Sequence, residues 1–265
     1  MSKINKMPKA VILAGGFGTR ISEESHLRPK PMIELGGKPI IWHIMKLFYH
    51  YGVKEFIILA GYKQQVIKEY FSNYFLHNCD ITYDFSDGKM TQIIHSHHME
   101  GWKVTVVDTG LNTMTGGRIK RVADYLNDGE PFFLTYGDGV SNVNIKELLD
   151  FHMQHGRKAT ITGFIPEGRF GIIDLKDDNV TSFREKMSEN NNWINIGYMV
   201  LEKDILNYIE DDSTPLEQEP MKRLANEGNL MCYRHKGFWK CMDTLRDKEA
   251  LEKIYAEGDA PWVVW

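Results

Sequence analysis

Residues Ala10 to Met32 constrain this chain more than any other stretch. A run of apolar residues (Ala10, Val11, Ile12, Leu13, Ala14) leads straight into Gly15, Gly16, Phe17, Gly18, Thr19 and Arg20, and Arg28, Pro29, Lys30, Pro31 and Met32 follow closely. An unbroken apolar run of that length suits a strand buried on both faces, as in a parallel sheet covered by helices. Glycines directly behind such a strand let successive backbone N–H groups turn toward an anion with no Cβ in the way. Arg20 and Lys30 add positive charge, so the stretch reads as a strand feeding a phosphate cradle. Two familiar glycine fingerprints do not fit. The dinucleotide pattern G-x-G-x-x-G, begun at Gly16, meets Ile21 where its third glycine belongs, and no P-loop Gly-Lys-Ser/Thr follows at the required spacing.

The remaining chain can build what such a strand needs. With 265 residues, 42% of them hydrophobic, it is expected to form one large α/β domain over 1–265. The net charge of −4 comes from interspersed acids and bases, and the absence of a basic run argues against nucleic acid as a partner. Cys79, Cys232 and Cys241 are far apart with no C-x-x-C spacing, which supports neither a disulfide frame nor a zinc site and fits a reducing cytoplasm. Met1 to Lys9 lack the apolar core of a signal peptide, and no run approaches the ~20 apolar residues of a membrane span, so no membrane partner is expected.

Periodicity places a helix over Pro39 to Tyr51, a buried strand ending in Phe56, Ile57, Ile58 and Leu59, and a helix from Lys63 to about Phe75. Strand and helix alternating at these lengths argue for right-handed βαβ units and a mostly parallel sheet. Lys103 to Val107 and Phe132 to Tyr136 read as further strands, Ile145 to His155 as a helix, and Ala159 to Ile165 as a strand. Shorter strands at Ile172 to Asp174, Val180 to Glu185 and Trp193 to Leu201, joined by polar turns, suggest a small antiparallel element. Cys79 to Phe85 reads as a further strand; between Asp87 and Asp108 the alternation weakens, and apart from Lys103 to Val107 no element is assigned there. Ligands of open α/β sheets gather at the carboxyl ends of strands, where Gly137, Asp138 and Gly139 stand. The turn Gly116-Gly117-Arg118 is a second candidate for close backbone contact with a ligand.

A phosphate cradle with nearby lysine, arginine and aspartate suits phosphoryl chemistry. If a nucleoside triphosphate reacts with a phosphorylated acceptor, the attacking oxygen is already ionised, so no general base is required. The protein then has to align an in-line displacement and offset the repulsion of two anions, commonly with Mg²⁺ plus Lys and Arg. No Ser-His-Asp or Cys-His constellation is needed.

The ordered series KAVILAGGFGTR, RPKPM, WHIMK, VDTG, MTGGRIKRVA, TYGDGV, GRFG, EK, FWKCMDTLRDK and APW resembles the sugar nucleotidyltransferases over almost the full length, in particular members that use CTP and glucose 1-phosphate. The resemblance implies a Rossmann-like mixed sheet flanked by helices, Mg²⁺ as cofactor, CMP transfer giving CDP-glucose and pyrophosphate, and a homo-oligomer, of which a hexamer is one form. Carried over by position, Leu13, Gly15, Gly16, Gly18, Thr19 and Arg20 hold the triphosphate, Lys30 neutralises the reacting phosphates, and Arg118 and Gly137 lie beside the nucleotide. Asp138 and Asp243 are the implied metal pair, with Arg20, Lys30 and Asp138 the catalytic set. Gly171, Glu185, Lys186 and Asn195 fall on the sugar-phosphate side, where Lys186 would hold the phosphate and Glu185 a sugar hydroxyl. The chain departs from the family pattern there, with Met187 where a proline is usual and Ile196 where a glycine is usual. In a strand Ile196 faces the core if Asn195 faces the ligand.

Plainer roles exist for several of these residues. Asp138 fits a turn, Asp243 a helix cap before Thr244, and Arg118 a helix start. His95, His97 and His98 fit a polar strand or loop better than a metal cluster. Transfer to another small phosphorylated acceptor, a non-catalytic nucleotide sensor, and an NAD-dependent oxidoreductase are the competing readings.

Overall fold

A computed structural model describes residues 6–97, 99–166, 172–176, 179–184 and 193–265. The apolar run forms β1 (Ala10–Ala14), buried along its whole length. Its side chains alternate between two cores: Ala10, Ile12 and Ala14 pack on one face of the sheet, Val11 and Leu13 on the other. The helix expected next is α1 (Ile40–His50), and β2 (Glu55–Ala60) follows. In β2, Phe56 and Ile58 enter the first core and Ile57 and Leu59 the second, which is why its sequence shows no polar alternation.

Helix α2 (Gln64–Ser72) leads toward β3 (Lys103–Asp108), α3 (Thr115–Lys120), β4 (Phe132–Tyr136) and the short β5 (Gly139–Ser141). Then come α4 (Ile145–His155), β6 (Ala159–Phe164), β7 (Ile194–Leu201), α5 (Glu219–Asn226), β8 (Leu230–Arg234), β9 (Trp239–Cys241) and α6 (Leu245–Ala256). The central sheet has seven strands in the order β8-β6-β7-β4-β1-β2-β3. All neighbours run parallel except at β7, which is antiparallel to both β4 and β6. The expected mixed, mostly parallel sheet is therefore present. β2 and β3 extend to one side of β1 and β4 lies on the other, so the order reverses at β1 and opens a crevice at the carboxyl ends of β1 and β4.

Smaller antiparallel pairs decorate this frame. One joins Ile172–Lys176 to Asn179–Arg184. Another joins Cys79–Asp84 to Thr91–His97, so the region left unassigned holds a strand. Its apolar residues Ile93 and Ile94 are about half exposed on both faces, which removes the alternation that would have marked it. His95 lies in that strand and bonds Thr82 at 2.8 Å, and no cluster of three or more metal-ligating side chains occurs among the described residues. No helix among them is long and apolar enough to cross a membrane.

Candidate active site

The crevice at the β1–β4 switch is a cleft of about 580 Å³ lined by the glycine loop, Lys30, the 111–115 loop, Tyr136, Gly137 and Asp138. Leu13, Gly15, Gly16, Gly18, Thr19, Arg20, Lys30, Arg118, Gly137 and Asp138, all singled out above, line it together. Gly16 is exposed and a Cβ there would meet nothing within 4 Å, so the loop leaves open space. Gly18 has φ +66°, a conformation favouring glycine. Gly137 N–H donates to the Leu13 carbonyl at 2.9 Å. A Cβ on Gly137 would lie 2.9 Å from Pro31, so the P-K-P segment packs onto the strand end.

Asp138 and Asp243 are 105 positions apart and meet through a short ladder. β5 pairs antiparallel with β9, placing Cys241 opposite Gly139, and Met242 N–H donates to the Asp138 carbonyl at 2.8 Å. Lys30, 8% exposed, lies between the two carboxylates: Nζ donates to Asp138 Oδ2 at 2.7 Å and to Asp243 Oδ1. Arg20 adds an ion pair to Asp243 Oδ2 at 2.9 Å. Burial pulls the Lys30 ammonium down, but the two carboxylates outweigh it and hold it above its ordinary 10.5. Burial likewise pushes Asp243 up, and Lys30 and Arg20 prevail to leave it below 3.8. The stability this pair lends through Asp243 is present above the unfolded carboxylate range and lost as pH falls through the lower folded value. Through Lys30 it is present below the unfolded 10.5 and lost only as pH rises through the higher folded value.

The helix-cap alternative for Asp243 fails. Thr244 caps α6, accepting from Asp247 N–H in a capping box, which leaves the Asp243 carboxylate free to face Lys30. Two carboxylates converging on one cation make a hard-oxygen pair suited to a divalent ion, whose other positions can be filled by phosphate and water.

Arg118 is 5% exposed and its guanidinium is spent on the protein itself. NH1 donates to Thr109 Oγ1 at 2.7 Å and to the Gly110 carbonyl at 2.6 Å, and NH2 to the Gly15 and Leu111 carbonyls, both at 3.1 Å. It thus ties the glycine loop to the loop after β3, and Gly15 has no room for a side chain because a Cβ would sit 2.2 Å from NH1. Arg118→Met would strand these buried acceptors together and is expected to destabilise the fold by about 3 kcal/mol, read as a lowered denaturant midpoint. Gly116 and Gly117, expected from sequence as a candidate for backbone contact with a ligand, are also required by packing. Added Cβ atoms would lie 2.6 Å from the Thr214 carbonyl and 2.5 Å from Asp212 Cα, so these glycines admit the 212–214 segment.

Of the residues expected on the acceptor side, Asn195 is exposed and its Oδ1 accepts from Gly197 N–H at 3.0 Å. Ile196 is 4% exposed within the core, as strand alternation implied, so its branched side chain does not project beside Asn195. Gly171, Glu185, Lys186 and the departing Met187 lie outside the described residues. Tyr136, Thr113 and Thr115 line the cleft but were not singled out from sequence. Their place at or just beyond the carboxyl ends of β4 and β3 was the available signal.

A family model described as nucleotidyl transferase matches residues 9–247. The chain is 53% identical over 257 residues to glucose-1-phosphate cytidylyltransferase of Salmonella typhimurium, covering 97% of this chain and 99% of that one. It is 43% identical over 258 residues to the probable glucose-1-phosphate cytidylyltransferase of Bacillus subtilis, covering 97% and 100%. In fold it is similar to the crystal structure of HddC from Yersinia pseudotuberculosis, with TM-score 0.68 and 23% identity over 94% of this chain and 100% of that one. A glycine loop, a lysine between two aspartates at a strand end, and matches of this length agree: the chain belongs to the nucleotidyl transferase family.

Proposed function

We propose that this protein transfers CMP from CTP to α-D-glucose 1-phosphate, giving CDP-glucose and pyrophosphate, and that one domain over 1–265 carries the whole reaction. The acceptor phosphate oxygen attacks the α-phosphorus of CTP, the bond to the bridging oxygen of the β-phosphate breaks, and pyrophosphate leaves with that electron pair. The convergence of Lys30 on Asp138 and Asp243 beside the glycine loop is the observation that carries this reading. Backbone N–H groups of the Gly15 to Thr19 loop and the Arg20 guanidinium hold the triphosphate. The Lys30 ammonium turns from the carboxylates to the phosphates as charge gathers on the leaving group. Asp138 and Asp243 would hold Mg²⁺, which would supply charge neutralisation between the two anionic substrates. Arg118 keeps the floor of the nucleotide cleft rigid and Asn195 serves the acceptor, to which the family resemblance also assigns Gly171, Glu185 and Lys186.

The test is pyrophosphate release with CTP, UTP, dTTP and ATP, each with glucose 1-phosphate. CTP is expected to be preferred, and equal rates with UTP would contradict the cytidylyl assignment while leaving nucleotidyl transfer intact. Because Lys30 stays protonated and Asp243 ionised between about pH 5 and pH 9, neither produces a limb in the pH profile over that range. We expect kcat/KM for the acceptor to rise with pH through about 6, the second ionisation of a phosphate monoester. A fluorinated glucose 1-phosphate with a more acidic phosphate is expected to move that limb down; an unmoved limb would assign it to the protein. The hairpin of Cys79–Asp84 and Thr91–His97 shares no ladder with the central sheet and exposes Tyr83, Phe85 and Ile93, which supports a homo-oligomer, a hexamer included. Light scattering on the purified protein tests it, and a monomer mass would remove it.

A further inference from the structure

We infer that Glu217 is a positioning residue that clasps the two walls of the cleft and holds Tyr136 against the acceptor site, an inference that rests on the transfer reaction proposed above. Tyr136 ends β4 one residue before Gly137 and lines the cleft. Its ring lies so close to β7 that a Cβ on Gly197, which has φ +83°, would sit 2.1 Å from it. Gly197 is two positions from Asn195, so the ring forms part of the boundary between nucleotide and acceptor. At the far end of the ring the Tyr136 hydroxyl donates to Glu217 Oε1. Burial, reinforced by the carboxylate, drives the phenol far above its ordinary range, so it remains a donor. The other oxygen, Glu217 Oε2, accepts from Thr115 Oγ1 at 2.6 Å. Thr115 opens α3 and also lines the cleft.

One exposed carboxylate therefore joins the strand wall to the helix wall without belonging to either core. The two walls depend on it unequally. Thr115 Oγ1 also accepts from Leu216 N–H at 2.8 Å, and the nucleotide floor behind α3 is separately pinned by Arg118. Glu217 is the hydrogen-bond partner of the Tyr136 hydroxyl, so loss of the carboxylate frees the tyrosine and leaves the nucleotide wall in place. The consequence falls on the acceptor.

The experiment measures KM for each substrate, kcat and the thermal midpoint for the wild type, Glu217→Ala, Glu217→Gln, Tyr136→Phe and the Glu217→Ala/Tyr136→Phe double variant. Glu217→Ala and Tyr136→Phe are each expected to raise the glucose 1-phosphate KM about tenfold, with CTP KM within about twofold, and the double variant should be no worse than either single one. Glu217→Gln, which keeps an acceptor for the tyrosine hydroxyl, should restore most of the loss. An unchanged acceptor KM in Glu217→Ala, multiplying effects in the double variant, or equal rises in both KM values with a lowered midpoint would overturn the clasp. No CDP-glucose from the wild type would instead refute the underlying reaction, so the two failures are distinguishable.

Discussion

Lys30→Ala is expected to lower kcat by at least about a hundredfold, corresponding to about 3 kcal/mol of transition-state stabilisation, while the protein remains folded. Lys30 is a buried cation shared by two carboxylates at the cleft, so in the proposed mechanism its removal takes away charge on the reaction path and leaves Asp138 and Asp243 facing one another. The loss should fall on kcat more than on the KM for CTP, because in the proposed mechanism the glycine loop and Arg20 still hold the triphosphate. Steady-state kinetics beside circular dichroism check it. Near-normal kcat in a folded variant would remove Lys30 from the mechanism.

Asp138→Asn should be as damaging, with kcat down by at least about a hundredfold, and Asp243→Asn likewise. Each substitution is nearly isosteric, so the ladder between β5 and β9 that sets the pair is kept, and the charge alone is lost. Since both act through one cation, the double variant should be little worse than either single variant. A readout independent of turnover is Mn²⁺ affinity in the presence of CTP, measured by electron paramagnetic resonance, which should weaken about tenfold or more in each single variant. Unchanged Mn²⁺ affinity in both would deny that these carboxylates hold the metal.

How much of this was legible beforehand follows from the kind of force each feature answers to. β1, β2 and β4 are buried on both faces, so continuous apolar runs announced them and, with intervening helices, the parallel sheet. The hairpin strand Thr91–His97 answers to no core, and its mixed exposure left no periodic signal. The glycine loop was legible as a cleft-lining turn because it leaves open backbone and space at Gly16. Gly116 and Gly117 have the same composition but serve a neighbouring chain segment, a difference that lies wholly in tertiary packing. Arg118 is similar: a guanidinium after two glycines suggests a ligand contact, and it does line the cleft, but nothing in the sequence signals that NH1 and NH2 also turn onto carbonyls of distant loops. Asp138 and Asp243 were paired through family resemblance, because the three-residue strands that unite them are too short for any pattern. Only coordinates decide between cap and site for Asp243, since Thr244 and Asp247 take over the capping.

Product identification tests the central claim most directly. The purified protein is incubated with Mg²⁺, CTP and glucose 1-phosphate and the mixture followed by phosphorus NMR. CDP-glucose and pyrophosphate are expected to accumulate in equal amounts, with no turnover when the sugar phosphate is left out; pyrophosphate without CDP-glucose, or no reaction at all, would contradict the account.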